Sequence, residues 1–113
     1  MKLKGSYLGE YEEVVLLAVL QLGKDAYGRS IRELLDEVGE RFTSIGALYA
    51  TLDRLERKGF ISSRQGEATP ERGGRAKRYF KVEGTGVLAL REGRRIRQKL
   101  ARGIRPGLLG KVL

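Results

Sequence analysis

The chain has no cysteine, no histidine and no tryptophan, and only two prolines and one methionine in 113 residues. Without cysteine there are neither disulfides nor thiolate metal ligands. Without histidine, the commonest general base and the commonest imidazole ligand are both missing, which argues against an enzyme. Only carboxylate, lysine or tyrosine chemistry is left, and Glu33, Asp36 and Glu37, the acids that would carry it, fall on an ordinary wet helix face. No apolar run reaches the roughly 18 residues of a membrane span. The stretch Val14 to Leu20 is too short, follows Glu12 and Glu13, and lacks the basic flank of a secretory signal. A cytoplasmic protein of one small domain, with no cofactor and no metal, is therefore expected.

What the chain does have is charge, and it is unevenly placed. The net charge is +9. Residues 1–53 carry six cations against nine carboxylates, a net −3, whereas residues 54–113 carry seventeen against five, a net +12. An acidic half joined to a basic half implies a surface that meets a polyanion, most often nucleic acid. An anionic membrane surface or an acidic protein partner is the alternative. It would rest on the arginine-rich C-terminal segment, which lacks a continuous apolar face with Trp or Phe anchors.

Residues Glu10 to Leu22 read as a first helix, with Glu10, Glu12 and Glu13 at the positive end of its dipole. From Val14 to Leu20 it is apolar on nearly every side, as in a central helix or one that also meets a partner subunit. Tyr27 to Val38 reads as a second helix, with Ile31, Leu34, Leu35 and Val38 as its core stripe and Gly39 closing it. A few residues later Ser44 stands as an N-cap before a third helix, whose stripe is Ile45, Leu48, Leu52 and Leu55. Arg57, Lys58 and Gly59 are its stop signals. Two helices joined by so short a turn form a helix-turn-helix.

The outward positions of the third helix are small: Gly46, Ala47 and Ala50, with Thr51 the compact polar group among them. A major groove could approach such a face closely, and Thr51 could touch a base edge or a thymine methyl. Beyond it, Phe60 to Gln65 and Arg78 to Val82 read as two strands joined by a long tip that carries Pro70, Gly73 and Gly74. Arg75, Lys77 and Arg78 cluster at this hairpin as candidates for phosphate contact. Gly84-Thr85-Gly86 breaks the strand, and Val87 to about Gly103 forms a last helix followed by a tail with Leu108, Leu109, Val112 and Leu113. The expected fold is mainly α with a small β-hairpin. It is a winged helix-turn-helix with a three-helix core, a two-stranded wing and a C-terminal helix.

Three segments in order resemble the PadR family of transcription regulators. They are Ala26-Tyr27-Gly28-Arg29-Ser30-Ile31, then Ser44 to Ile61, then Gly73-Gly74-Arg75-Ala76-Lys77-Arg78-Tyr79-Phe80-Lys81-Val82. The resemblance spans about residues 10–90. It departs at Ala50, where the family often has proline, and at Glu83, where a threonine usually caps the last helix. It implies a homodimeric repressor that binds double-stranded DNA at a near-palindromic operator. Residues 1–83 would be the DNA-binding domain, and residues 84–113 a single dimerisation helix with its tail. The residues implied for DNA are Ser44, Gly46, Ala47, Tyr49, Thr51, Arg54, Arg75, Lys77 and Arg78. Alternatives stay open at three of them: Ser44 as a cap alone, Tyr49 as partly buried, and Arg54 as the partner of a nearby acid. Val15, Val19, Leu90, Ile96 and Leu100 are the expected dimer contacts. The family's known release by small molecules leaves an inducer open, and no residue of this chain identifies one.

Overall fold

The computed structural model of the chain describes residues 8–39, 43–66 and 76–110. Four helices and a hairpin follow in order: α1 (Glu10–Leu22), a 3-10 turn (Gly23–Asp25), α2 (Gly28–Gly39), α3 (Ile45–Arg57), β1 (Ile61–Gln65), β2 (Arg78–Val82) and α4 (Gly84–Arg102). The strands pair antiparallel, from Ile61 opposite Val82 to Gln65 opposite Arg78. The residues entering α2 join this sheet at its edge. Tyr27 bridges Tyr79, and the Phe80 amide donates to the Ala26 carbonyl at 2.8 Å. The architecture is the winged helix-turn-helix.

The core lies where α1 crosses α2 and α3 and the hairpin closes the open side. Val15, Leu16 and Val19 meet Ile31, Leu48, Leu52 and Leu55, with Phe60, Ile61, Phe80 and Leu90 around them. Two expected core residues lie elsewhere. Val38 and Ile45 are both exposed, standing at the helix ends that flank the turn, with Val38 on the rim of an open groove that Val14 and Leu17 of α1 also line. The apolar stripe of α3 therefore begins at Leu48, one turn later than the spacing suggests.

The last helix starts three residues before Val87. Gly84, Thr85 and Gly86 form its first turn, with Glu83 at the N-cap position and its carbonyl accepting from the Gly86 and Val87 amides at 2.9 and 3.1 Å. The glycine that suggests a chain break instead allows close packing. A Cβ on Gly86 would collide with the Phe60 carbonyl oxygen. The same corner is tied by the Glu83 amide donating to the Phe60 carbonyl at 2.9 Å and by Thr85 Oγ1 donating to the Gly59 carbonyl at 2.6 Å. Gly59 itself takes φ +80°, the left-handed conformation that ends α3.

One charged side chain is buried among the described residues. Glu12 is 5% exposed, at the first turn of α1. Its carboxylate accepts from the Gly9 amide at 2.8 Å, from Lys58 Nζ at 2.8 and 3.0 Å, and from Arg54 Nε at 3.1 Å. Burial pushes its carboxyl upward, but the hydrogen bonds from Lys58, Gly9 and Arg54 outweigh that and hold it below the ordinary carboxylate range.

Two outcomes follow from this packing. Gly86→Ala should lower the unfolding free energy by about 1–3 kcal/mol, because backbone rather than a flexible side chain must move; an unchanged urea midpoint would contradict the tight corner. A carboxylate with a depressed folded-state value contributes stability above its unfolded range, and that contribution disappears as pH falls through the folded value. Between pH 7 and pH 3, wild type should therefore lose more stability than Glu12→Gln, measured as the difference in urea midpoints.

Candidate nucleic-acid interface

The exposed side of α3 is built from residues that leave its backbone approachable. Gly46, Ala47 and Ala50 are all exposed, and Ser44 caps the helix, its Oγ accepting from the Ala47 amide at 3.3 Å. Steps of three and four residues from Ala47 lead through Ala50 to Arg54 and Arg57, so small groups are followed along one stripe by two cations. Arg57 was not among the residues singled out in the sequence, where it reads as a helix-stop signal. Its place seven residues after Ala50 is the signal that puts it on the outer face.

Thr51 does not share that face. It is 2% exposed, and its hydroxyl accepts from Arg54 Nη2 at 3.2 Å. The helical step from Ala50 to Thr51 carries the side chain away from the outer stripe and onto the side that packs. Thr51 thus anchors Arg54 and is not available to a base. Arg54 itself takes the acid-pairing alternative, with Glu12 as its partner at 3.1 Å, while about half of its side chain remains exposed.

Tyr49 lies on the opposite flank of α3 and is 36% exposed. Its hydroxyl lies against Gly28 so closely that a Cβ there would collide with it. The tyrosine is therefore a spacer that seats α3 on the start of α2, with its outer edge still open. On the same flank, Arg78 reaches from the wing back to α3. Its guanidinium pairs with Glu56 at 2.6 Å and Asp53 at 3.4 Å, and Ser63 Oγ donates to the same Glu56 carboxylate at 3.0 Å. Arg78 is thus a strut between wing and helix, since β2 alternation points it to the helical side of the sheet. Its two acidic partners offset its charge before any phosphate arrives.

Lys77 is exposed at the base of the wing, its ammonium 4.2 Å from the centre of the Tyr27 ring. Arg75 lies outside the described residues. The solvent face of the hairpin carries cations that the motif does not emphasise. Lys24, Arg64 and Lys81 line an open groove of about 310 Å³ with Ser62 and Tyr79, and Arg64 stacks on Tyr79 at 4.8 Å.

The residues expected at a dimer contact are divided. Val15 and Val19 are fully enclosed by their own chain, so they cannot touch a partner; they occupy the α1 face that meets α2 and α3. The open side of α1 is formed by Val14, Leu17 and Leu20, with Leu17 50% exposed. Leu90 is likewise buried against α1. Ile96 is half-buried, and Leu100 is 69% exposed on the part of α4 that projects from the core. Between α1 and α4 lies an apolar groove of about 440 Å³, floored by Leu17, Leu20, Val87 and Leu90 and rimmed by Arg91, Arg94 and Arg97. Arg97 pairs across it with Glu13 at 2.5 Å. Among the described residues no group of three acids could hold a metal ion, and no helix is long and apolar enough to cross a membrane.

Known proteins share this arrangement. A PadR-like transcription factor from Bacteroides fragilis is 26% identical, with a TM-score of 0.66 over 82% of this chain and 84% of that one. A PadR family regulator from Eggerthella lenta is also 26% identical, with a TM-score of 0.63 over 82% and 79%. A transcriptional regulator from Clostridium thermocellum, at 21% identity and a TM-score of 0.66 over 87% and 90%, shares the fold. Comparison with curated proteins gives no match. The model of the transcriptional regulator PadR-like family matches residues 16–92, from the middle of α1 through the wing and into α4. The chain belongs to the PadR-like family of transcriptional regulators, proteins that regulate transcription rather than catalyse reactions.

Proposed function

We propose that this protein is a homodimeric, sequence-specific DNA-binding repressor of the cytoplasm. The observation that carries the reading is the outer stripe of α3, where Gly46, Ala47 and Ala50 lie bare to solvent and Arg57 follows on the same side. Small side chains let a helix backbone sink into a major groove, and Arg57 at its far end reaches a phosphate. Lys77, Arg75 and the wing extend the contact along the duplex. The dimer forms through the open side of α1 with Leu17 and Leu20 and through the projecting half of α4 with Ile96 and Leu100. Two-fold symmetry then places two recognition helices in successive major grooves, about 34 Å apart, on a near-palindromic operator.

Selection of bound fragments from random duplex DNA tests the whole reading. A near-palindromic consensus is expected, and recovery of unrelated sequences would overturn the assignment of α3 to a groove. Arg57→Ala and Lys77→Ala should each weaken consensus and scrambled duplexes alike and reduce the salt slope by about 0.9 per lost phosphate contact. Ala50→Leu should instead reduce the preference for the consensus while leaving non-specific binding in place. Equal preference in that variant would remove the small-residue stripe from the groove. Leu17→Glu, measured by sedimentation, should shift the protein to monomer.

A further inference from the structure

Two of the three cations in the last turns of α3 point toward α1 instead of the open side. Arg54 Nε and Lys58 Nζ both end on the Glu12 carboxylate, whose side chain is 6% exposed. Arg54 is held a second time through Thr51 Oγ1, itself buried, at 3.2 Å. Arg54 nevertheless belongs to the edge of the exposed stripe, one turn beyond Ala50, so a turn of its guanidinium would put it beside a duplex. The carboxylate gathers donors from two separate pieces of chain, α3 and the Gly9 amide at the start of α1.

We propose that Glu12 is a positioning residue for DNA recognition. It fixes the C-terminal turns of α3 against α1 and keeps Arg54 and Lys58 from binding phosphates indiscriminately. The inference rests on α3 being the recognition helix. Its chemical basis is competition between anions. A buried carboxylate with three directional donors is a better partner for a guanidinium than a hydrated phosphate met in a random register. Non-specific affinity grows with each phosphate neutralised, whereas specificity requires the helix to stand at one rotation and depth. Glu12 serves both ends at once, because the bonds that hold the helix are the bonds that occupy the cations.

A merely structural ion pair would alter stability and leave the ionic character of DNA binding unchanged. The test therefore compares Glu12→Gln with Glu10→Gln, which makes the same change in net charge at an exposed residue of the same turn. Binding to the selected consensus duplex and to a scrambled duplex of equal length is measured across a salt series. For Glu12→Gln the salt slope on scrambled DNA should steepen by about 1–2 per chain, since two cations are released at about 0.9 per phosphate. The ratio of consensus to scrambled affinity should fall about tenfold or more, with Glu10→Gln matching wild type on both measures. A folded Glu12→Gln protein indistinguishable from Glu10→Gln would overturn the inference.

Arg54→Gln supplies a second reading that does not require Glu12→Gln to fold, because Lys58 and Gly9 still hold the carboxylate. If Glu12 withholds Arg54, this variant keeps the wild-type slope on scrambled DNA. A loss of about 0.9 would show that Arg54 already contacts phosphate and would overturn the inference as well. A wild-type protein without preference for any duplex would remove the reading of α3 itself. A wild-type protein that selects its consensus, with Glu12→Gln behaving as Glu10→Gln, would remove only the role of Glu12.

Discussion

Helix α3 buries one face and leaves the opposite face open, and the rest of the molecule works around that constraint. Leu48, Leu52 and Leu55 hold α3 to the core, but an apolar stripe is tolerant of small rotations about the helix axis. The rotation is defined by polar struts on the two flanks. Glu12 takes Arg54 and Lys58 on the side of α1, and Arg78 takes Glu56 and Asp53 on the side of the wing. Tyr49 against Gly28 adds a rigid steric stop toward α2. The outer face left between these struts carries only small groups in its first turns, Gly46, Ala47 and Ala50, with Arg57 at its far end.

The fold was legible because its signals are local. Ser44 as a cap, the switch of period after Gly59 and the alternation of Phe80 and Val82 give a helix-turn-helix followed by a hairpin, and the structure has both. What the linear pattern does not contain is the direction of each polar side chain in three dimensions. Thr51 sits next to Ala50 in the sequence, yet one residue of helix turns it from solvent into the packed side. Arg78 falls within a basic cluster, but strand alternation aims it at two acids of α3. Val15 and Val19 belong to a helix apolar on nearly every side, and composition alone cannot tell which of its faces is covered by its own chain. Glu12 reads in sequence as a dipole-complementing acid, because its partners lie 42 and 46 positions away.

The uneven charge along the chain has a structural meaning beyond attraction to a polyanion. Among the described residues, carboxylates of the acidic half reach cations of the basic half at three places within one molecule: Glu12 with Arg54 and Lys58, Glu13 with Arg97, and Asp53 with Arg78. Neighbouring acids in the first turn of α1 therefore face opposite ways, one toward α3 and one toward α4. Ion pairs as exposed as that of Arg97 contribute little stability, so their value is in fixing orientation. What remains exposed of the basic half is correspondingly smaller than the formal charge suggests.

The corner at Gly86 has a further consequence. There the first turn of α4 is tied to the chain between α3 and β1 by the Glu83 amide on the Phe60 carbonyl and by Thr85 Oγ1 on the Gly59 carbonyl, with Gly86 leaving no side chain against the Phe60 backbone. The direction in which α4 leaves the core is therefore rigidly related to the direction in which α3 presents its outer face. If two chains join through α4, the separation of their α3 helices is measured out by this corner as by a fixed ruler. A change in that separation between relatives of this protein would then begin with the angle at Phe60 and Gly86, and not with the outer residues of α3.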